Sequence, residues 1–259
     1  MSGFGLLALA AVAACAPKPA AVNAAQSVPE TPRDYRPAPE LQGGGMTADG
    51  RLELQGSALP NATVRLQSPD GAKQLATADD QGVWSVVLSP SPQPRLLSLA
   101  MSDNGQVVQA LGYLFLAPDG AVARLRSGGG TQASARGQTG LAALALDYDN
   151  QRAATLSGMA GPRETVTVRV DGVERGQATA NGEGRFVVPL QPLPAGAHLF
   201  DLLSTTQEAH FSAIINAPAA LGRATYAAQR LGRGWRVDWM TPGGGEQTTL
   251  ILAPSEPGA

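Results

Sequence analysis

The chain has 259 residues and a net charge of −2 at pH 7, with 15% charged and 5% aromatic residues, 31 glycines and 20 prolines. A nucleic-acid partner is not expected, because displacing counterions from phosphate takes a basic stripe, and the arginines here are scattered singly between apolar residues. One cysteine excludes a disulfide framework, and the glycine and proline content suits short strands joined by turns better than long helices.

Residues 1–14 read as an export signal. The apolar run Phe4 to Ala14 is too short to span a bilayer and ends at Val12-Ala13-Ala14, directly before the lone cysteine, Cys15. Met1-Ser2-Gly3 supplies no positive charge beyond the α-amino group. The segment resembles the lipobox of bacterial lipoproteins. That resemblance implies diacylglycerol on the Cys15 thiol, a mature chain starting there, and a membrane anchor on the periplasmic side of a bacterial cell envelope. Ala16 resembles the residue that follows the cysteine in lipoproteins sent to the outer membrane. No later stretch reaches eighteen apolar residues, so the mature chain is expected to be soluble apart from its lipid. Residues 15–39, with Pro17, Pro19, Pro29, Pro32, Pro37 and Pro39, read as a disordered tether. Extended, it would reach on the order of 70 Å at about 3.1 Å per residue.

From residue 40 the pattern is period two. Arg51 to Gln55 and Ala62 to Gln67 alternate, followed by Lys73 to Ala78, Val83 to Leu88, Arg95 to Met101 and Val107 to Leu116, with Pro-Asp-Gly, Pro-Ser-Pro and Asp-Asn-Gly among the turns between them. Residues 40–127 form the first expected domain.

A second copy of the pattern lies 102 positions on. Gly56, Ala58, Pro60, Thr63 and Val64 match Gly158, Ala160, Pro162, Thr165 and Val166, and Trp84 corresponds to Phe186. Asp70-Gly71 matches Asp171-Gly172 after a one-residue shift. Such an offset is too long for a solenoid repeat and marks two whole domains in tandem. Each copy closes with a similar hairpin, around Pro118-Asp119-Gly120 in the first and Pro242 to Gly245 in the second. The Gly-, Ser- and Thr-rich residues 128–140 read as a linker, 141–254 as the second domain and 255–259 as a tail. Residues 205–224 read as an enlarged loop or short helix.

Gly-x-Ala-x-Pro before an alternating Thr-Val strand, an Asp-Gly turn and then Gly-x-aromatic resembles bacterial immunoglobulin-like domains. The Cys…Trp…Cys signature of antibody-type domains is absent, so only the architecture carries over. The expected fold is therefore all-β, with two tandem immunoglobulin-like β-sandwiches after the signal peptide and tether. The resemblance implies a non-catalytic spacer or adhesion module.

The chemical inventory is thin. His198 and His210 both lie in apolar strand-like runs, and no nucleophile-elbow, Ser-x-x-Lys or zinc-binding helix motif occurs. No cofactor is expected: Gly128 to Gly130 and Gly243 to Gly245 lack the Lys-Ser/Thr of a phosphate loop. Asp147, Asp149 and Asn150 are the calcium candidates, although the spacing and terminal Glu of an EF-hand loop are missing. Trp235 and Trp239 share one strand face with Val237, while Arg236 and Asp238 share the other. Exposed, the tryptophans would stack on sugar rings or a peptide; buried, they would anchor the last strands. Trp235, Trp239 and Arg236 are the candidate binding residues. The expected function is that of a non-catalytic, lipid-anchored envelope protein binding an envelope protein or cell-wall polymer. The alternative is a cell-wall glycan-binding module or an accessory envelope enzyme.

Overall fold

The structure, a computed structural model, describes residues 36–135 and 138–253. The expected export signal, Cys15, most of the expected tether and the C-terminal tail lie outside the described residues. Those described form twenty strands and no helix.

The first repeat contributes β1 (Glu40–Met46), β2 (Leu52–Ser57), β3 (Thr63–Gln67), β4 (Lys73–Thr77), β5 (Val83–Leu88), β6 (Arg95–Asp103) and β7 (Gln106–Gln109). β8 (Tyr113–Leu116), β9 (Val122–Leu125) and β10 (Gln132–Ala133) follow. The sheet β1-β2-β5 faces the sheet that carries β4-β3-β6, with β7 on the far end of β6. Leu52, Leu54 and Trp84 from one sheet meet Val64, Leu66, Leu99 and Met101 from the other. The β2 residues Leu52, Leu54 and Gly56 are buried while Glu53 and Gln55 are exposed, as a strand with one wet face requires.

The second repeat folds the same way. Its strands are β11 (Ala142–Asp149), β12 (Ala154–Met159), β13 (Thr165–Val170), β14 (Val173–Thr179), β15 (Arg185–Leu190), β16 (Gly196–Leu203) and β17 (Glu208–Ile215). The sheet β11-β12-β15 faces β14-β13-β16-β17 over Leu146, Leu156, Val168, Phe186, Phe200 and Leu202. β18 (Tyr226–Leu231), β19 (Gly234–Met240) and β20 (Glu246–Ile251) then extend the first of these sheets beyond β11, in the order β11-β20-β19-β18. Both repeats are immunoglobulin-like β-sandwiches, and the fold is all-β.

The repeat seen in the sequence has a packing cause. Gly56 lies opposite Trp84 and Gly158 opposite Phe186 in the strand register. A Cβ on Gly56 would come within 1.9 Å of the Glu40 carbonyl oxygen and 2.5 Å of the indole. On Gly158 it would come within 2.1 Å of the Ala142 carbonyl oxygen and 2.5 Å of the Phe186 ring. The glycine lets the large core ring lie flat on the neighbouring strand in both copies.

Three elements differ from the sequence reading. Val107 to Leu116 is not one strand: it breaks between β7 and β8 at Gly112, whose φ of +79° is left-handed and whose α-carbon faces the Leu125 carbonyl too closely for any side chain. Residues 205–224 hold no helix, because 208–215 pair with β16 as β17, leaving loop at 205–207 and after Ile215. Residues 128–140 are more than a linker: β10 pairs with β9, and Thr131 and Ala133 are buried.

A third apolar cluster joins the two sandwiches. Leu96, Phe115, Ala123 and Leu125 of the first meet Leu144, Trp235, Val237, Trp239 and Ile251 of the second. The hairpins that close each repeat, β8–β9 and β19–β20, are therefore the two halves of one packed seam.

Candidate functional site

Strand β19 divides its side chains between two jobs. Trp235, Val237 and Trp239 project from one face, and Arg236 and Asp238 from the other, by the two-residue period of a strand. Trp239 is fully buried and Trp235 is 7% exposed. The Trp235 ring sits 5.9 Å from Phe115, and Trp239 meets Tyr113 edge-on at the same centroid distance. Trp235 Nε1 donates to Asp119 at 3.2 Å and Trp239 Nε1 to the Thr249 hydroxyl at 3.1 Å, so each buried indole N–H is satisfied. Arg230 lies 5.5 Å over the Trp235 ring and also pairs with Asp119 at 2.9 Å. These tryptophans do not make a solvent-facing stacking platform. Their apolar face meets the first sandwich.

Arg236 takes the opposite face. Its Nε and one terminal nitrogen each donate to the Asp238 carboxylate at 2.9 Å, a two-pronged pairing. The same guanidinium reaches the Ala217 carbonyl at 3.0 Å and the Tyr148 hydroxyl at 3.3 Å. Asp238 also accepts from the Thr248 hydroxyl at 2.5 Å. The Asp238 carboxylate raises the Arg236 pKa above its ordinary value, and burial raises that of the Tyr148 phenol. Arg236 and Asp238 line a groove of about 820 Å³. The groove exists because the sheet carrying β18 and β19 has six strands and the sheet opposite only four. β17, the free edge of the shorter sheet, lines one side with Ser212 and Ile214, and Gln229 and Leu231 of β18 line the other. Arg236 is thus a groove residue, and Trp235 and Trp239 are chiefly seam residues.

The calcium candidates fall in different settings. Asp147 is buried, and its oxygens accept from Thr131 N–H at 2.6 Å, Thr131 hydroxyl at 2.7 Å, Thr249 hydroxyl at 2.5 Å and the Gln247 amide at 3.2 Å. A carboxylate ringed by donors has its lone pairs already engaged, the reverse of what a cation needs. Burial raises the Asp147 pKa, while those donors act to lower it. Asp149 caps its own turn, accepting from Gln151 N–H at 2.8 Å and Ala153 N–H at 3.0 Å, and Asn150 is exposed. Among the described residues no group of three or more His, Cys, Asp or Glu could hold a metal ion.

The histidines also part company. His198 Nδ1 lies 2.7 Å from Asp171 Oδ2 and Nε2 lies 2.9 Å from the Pro194 carbonyl oxygen. Both partners can only accept, so they favour the protonated ring, which donates from both nitrogens. Burial opposes that charge, but the two acceptors outweigh it and the His198 pKa is raised. Both ring nitrogens are thus engaged by acceptors within the second sandwich. His210 stands exposed on β17, opposite Asp201 in register.

Sequence reasoning missed the capping pair Asp79 and Asn181, which sit 102 positions apart. Asp79 Oδ1 accepts from Gln81 and Val83 N–H, and Asn181 Oδ1 from Glu183 and Arg185 N–H. The repeat offset was the signal that could have found them.

No protein-family model matches the chain, and no curated protein matches it. Among solved structures, a biofilm-associated protein BSP domain is 15% identical with a TM-score of 0.25, over 70% of this chain and 30% of that one. The central fibronectin-III array of RIM-binding protein is 14% identical over 84% of this chain and 89% of that one, with a TM-score of 0.26. The D0–D1 domain of intimin is 12% identical over 67% and 96%, with a TM-score of 0.25. The chain spans less than a third of the biofilm-associated chain's length. Likenesses of this size leave function to be argued from the chain's own residues.

Proposed function

We propose that the protein is a non-catalytic, lipid-anchored component of a bacterial cell envelope, whose two immunoglobulin-like sandwiches act as one rigid structural and binding unit. The observation that carries this reading is the use of β19. Its aromatic face joins the sandwiches, and its polar face floors an open groove. A flexible string of modules would gain nothing from burying two tryptophans between neighbours, whereas a spacer that must hold its partner surface at a fixed angle would. The engaged state of both His198 nitrogens supports a non-catalytic role.

The anchor rests on Val12-Ala13-Ala14-Cys15, and Ala16 favours the outer membrane, with the mature chain on the periplasmic side. A single acyl chain binds membranes only marginally, so the several chains of a lipoprotein cysteine are what would hold it there. The partner is an envelope protein or a cell-wall polymer, met at the groove beside Arg236. A glycan-binding variant of this reading needs a surface other than Trp235 and Trp239. The test is expression with the leader in a bacterial host, followed by fractionation and mass measurement. The protein should partition with membranes and carry lipid mass on Cys15, and Cys15→Ser should remain uncleaved and unlipidated. Unchanged partition and mass in Cys15→Ser would overturn the anchor.

A further inference from the structure

We infer that the seam between the sandwiches carries a second binding site, for a small acidic ligand whose carboxylate or phosphate is held by Arg124, Arg126 and Arg185. A polar cleft of about 620 Å³ opens there, within the range of small-ligand sites. It lies between β1 and β10, each the edge of its sheet, and the turn that leads into β15 of the second sandwich. Arg124 lies on β9 and Arg126 just past its end, and both line the cleft. Arg185 comes from β15, so the site is complete only when the two sandwiches are docked.

Arg124 is the residue that asks for a ligand. It is 8% exposed, yet among the described residues its guanidinium has only the Leu111 carbonyl at 3.4 Å and the Glu40 carboxylate at 3.6 Å. A guanidinium has five N–H donors, and these two partners leave most of them available to an oxyanion. Glu40 is itself 60% exposed and sits beyond hydrogen-bond distance. No nitrogen of Arg124 is both buried and unpartnered, so its unused donors open onto the cleft. Arg185 is similarly underused: Glu183 stands 3.8 Å away and is 79% exposed, a pairing that contributes little.

Three guanidinium groups around one polar cleft match the planar, two-pronged geometry of an oxyanion. Neutral hydrogen-bonding groups flank them. Gln132 lies directly across from Arg124 on β10, Ser134 follows it, and Asn181 keeps its amide nitrogen free of the turn that its oxygen caps. Such groups suit hydroxyls, and among the described residues no aromatic ring lines the cleft to stack on a base or sugar face. An acidic monosaccharide or a sugar phosphate combines the required charge, hydroxyls and size. The site is independent of the anchor at Cys15 and of the groove beside Arg236.

The test is calorimetric titration of the chain with galacturonate, galactose 1-phosphate and galactose, each to about 10 mM. The expected result is saturable binding of at least one acid and none of galactose, with affinity falling as salt is added. The tighter acid tells carboxylate from phosphate as the group recognised. Arg126→Gln and Arg185→Gln, at partly exposed positions that should fold, are each expected to weaken binding about tenfold at an unchanged melting temperature. No saturable heat from either acid, equal binding of galactose, or undiminished affinity in both variants would overturn the site.

Discussion

Thr131 holds the buried Asp147 carboxylate twice, through its backbone N–H at 2.6 Å and its hydroxyl at 2.7 Å. The Thr131 carbonyl in turn accepts from the Ser157 hydroxyl at 2.5 Å. A residue in the glycine-rich stretch between the repeats is thereby fixed to β11 and β12 of the second sandwich. Asp147→Ala would leave the donors of Thr131, Thr249 and Gln247 without an acceptor, and should cost about 3 kcal/mol in denaturant unfolding. Thr131→Val, which keeps the N–H donor, should cost about 1 kcal/mol.

The same carboxylate gives a pH dependence of defined sign. Burial raises the Asp147 pKa in the folded state above the 3.8 of an ordinary aspartate. The folded chain then binds the proton more tightly than the unfolded one, so this group's contribution weakens as pH rises from about 4 through the folded value, and is flat above it. Denaturation midpoints of wild type and Asp147→Asn, followed across that range, should diverge, with the wild type losing ground as pH rises. Parallel curves would show that Asp147 titrates normally.

His198 and Asp171 predict a window in the second sandwich. The His198 pKa is raised above 6.5, so its contribution is complete below that value and is lost as pH rises through the folded one. Asp171 is held below 3.8, chiefly by its hydrogen bond to His198, so its share is present above 3.8 and lost as pH falls through its folded value. The pair should stabilise most between those limits. Melting temperatures of wild type should fall from about pH 6.5 upward, and His198→Gln should remove that slope.

The glycine–aromatic pairs make the repeat testable. Trp84→Ala and Phe186→Ala should each cost about 3–5 kcal/mol by leaving a core cavity. Gly56→Ala and Gly158→Ala add only a methyl group, yet each places it against a backbone carbonyl and a core ring. Both should destabilise as severely as the cavity variants, whereas Gly43→Ala, which meets nothing within 4 Å, should be near neutral. Chemical denaturation of the five variants decides it.

What the sequence disclosed follows from the range of the forces involved. Alternation along β2 and β3 is set by neighbours two residues apart, and the match of Trp84 to Phe186 survives in any alignment of the chain with itself. The seam is another matter. Period two says that Trp235, Val237 and Trp239 share a face, but not which surface covers it, and Tyr113 and Phe115 lie more than a hundred residues away. Asp147 resembled a calcium ligand because its local company, Asp149 and Asn150, is oxygen-rich. The donors that claim it come from positions 16, 100 and 102 residues distant. Nothing in the local pattern around Arg124 marks it as buried.

The claim that the two sandwiches form one rigid body is tested most directly by amide-nitrogen relaxation of the chain, read over residues 36–253. With the seam of Trp235 and Trp239 intact, amides of both sandwiches should report one rotational correlation time, and the double variant Trp235→Ala/Trp239→Ala should split them into two. Two independent correlation times in the wild-type chain would contradict the account.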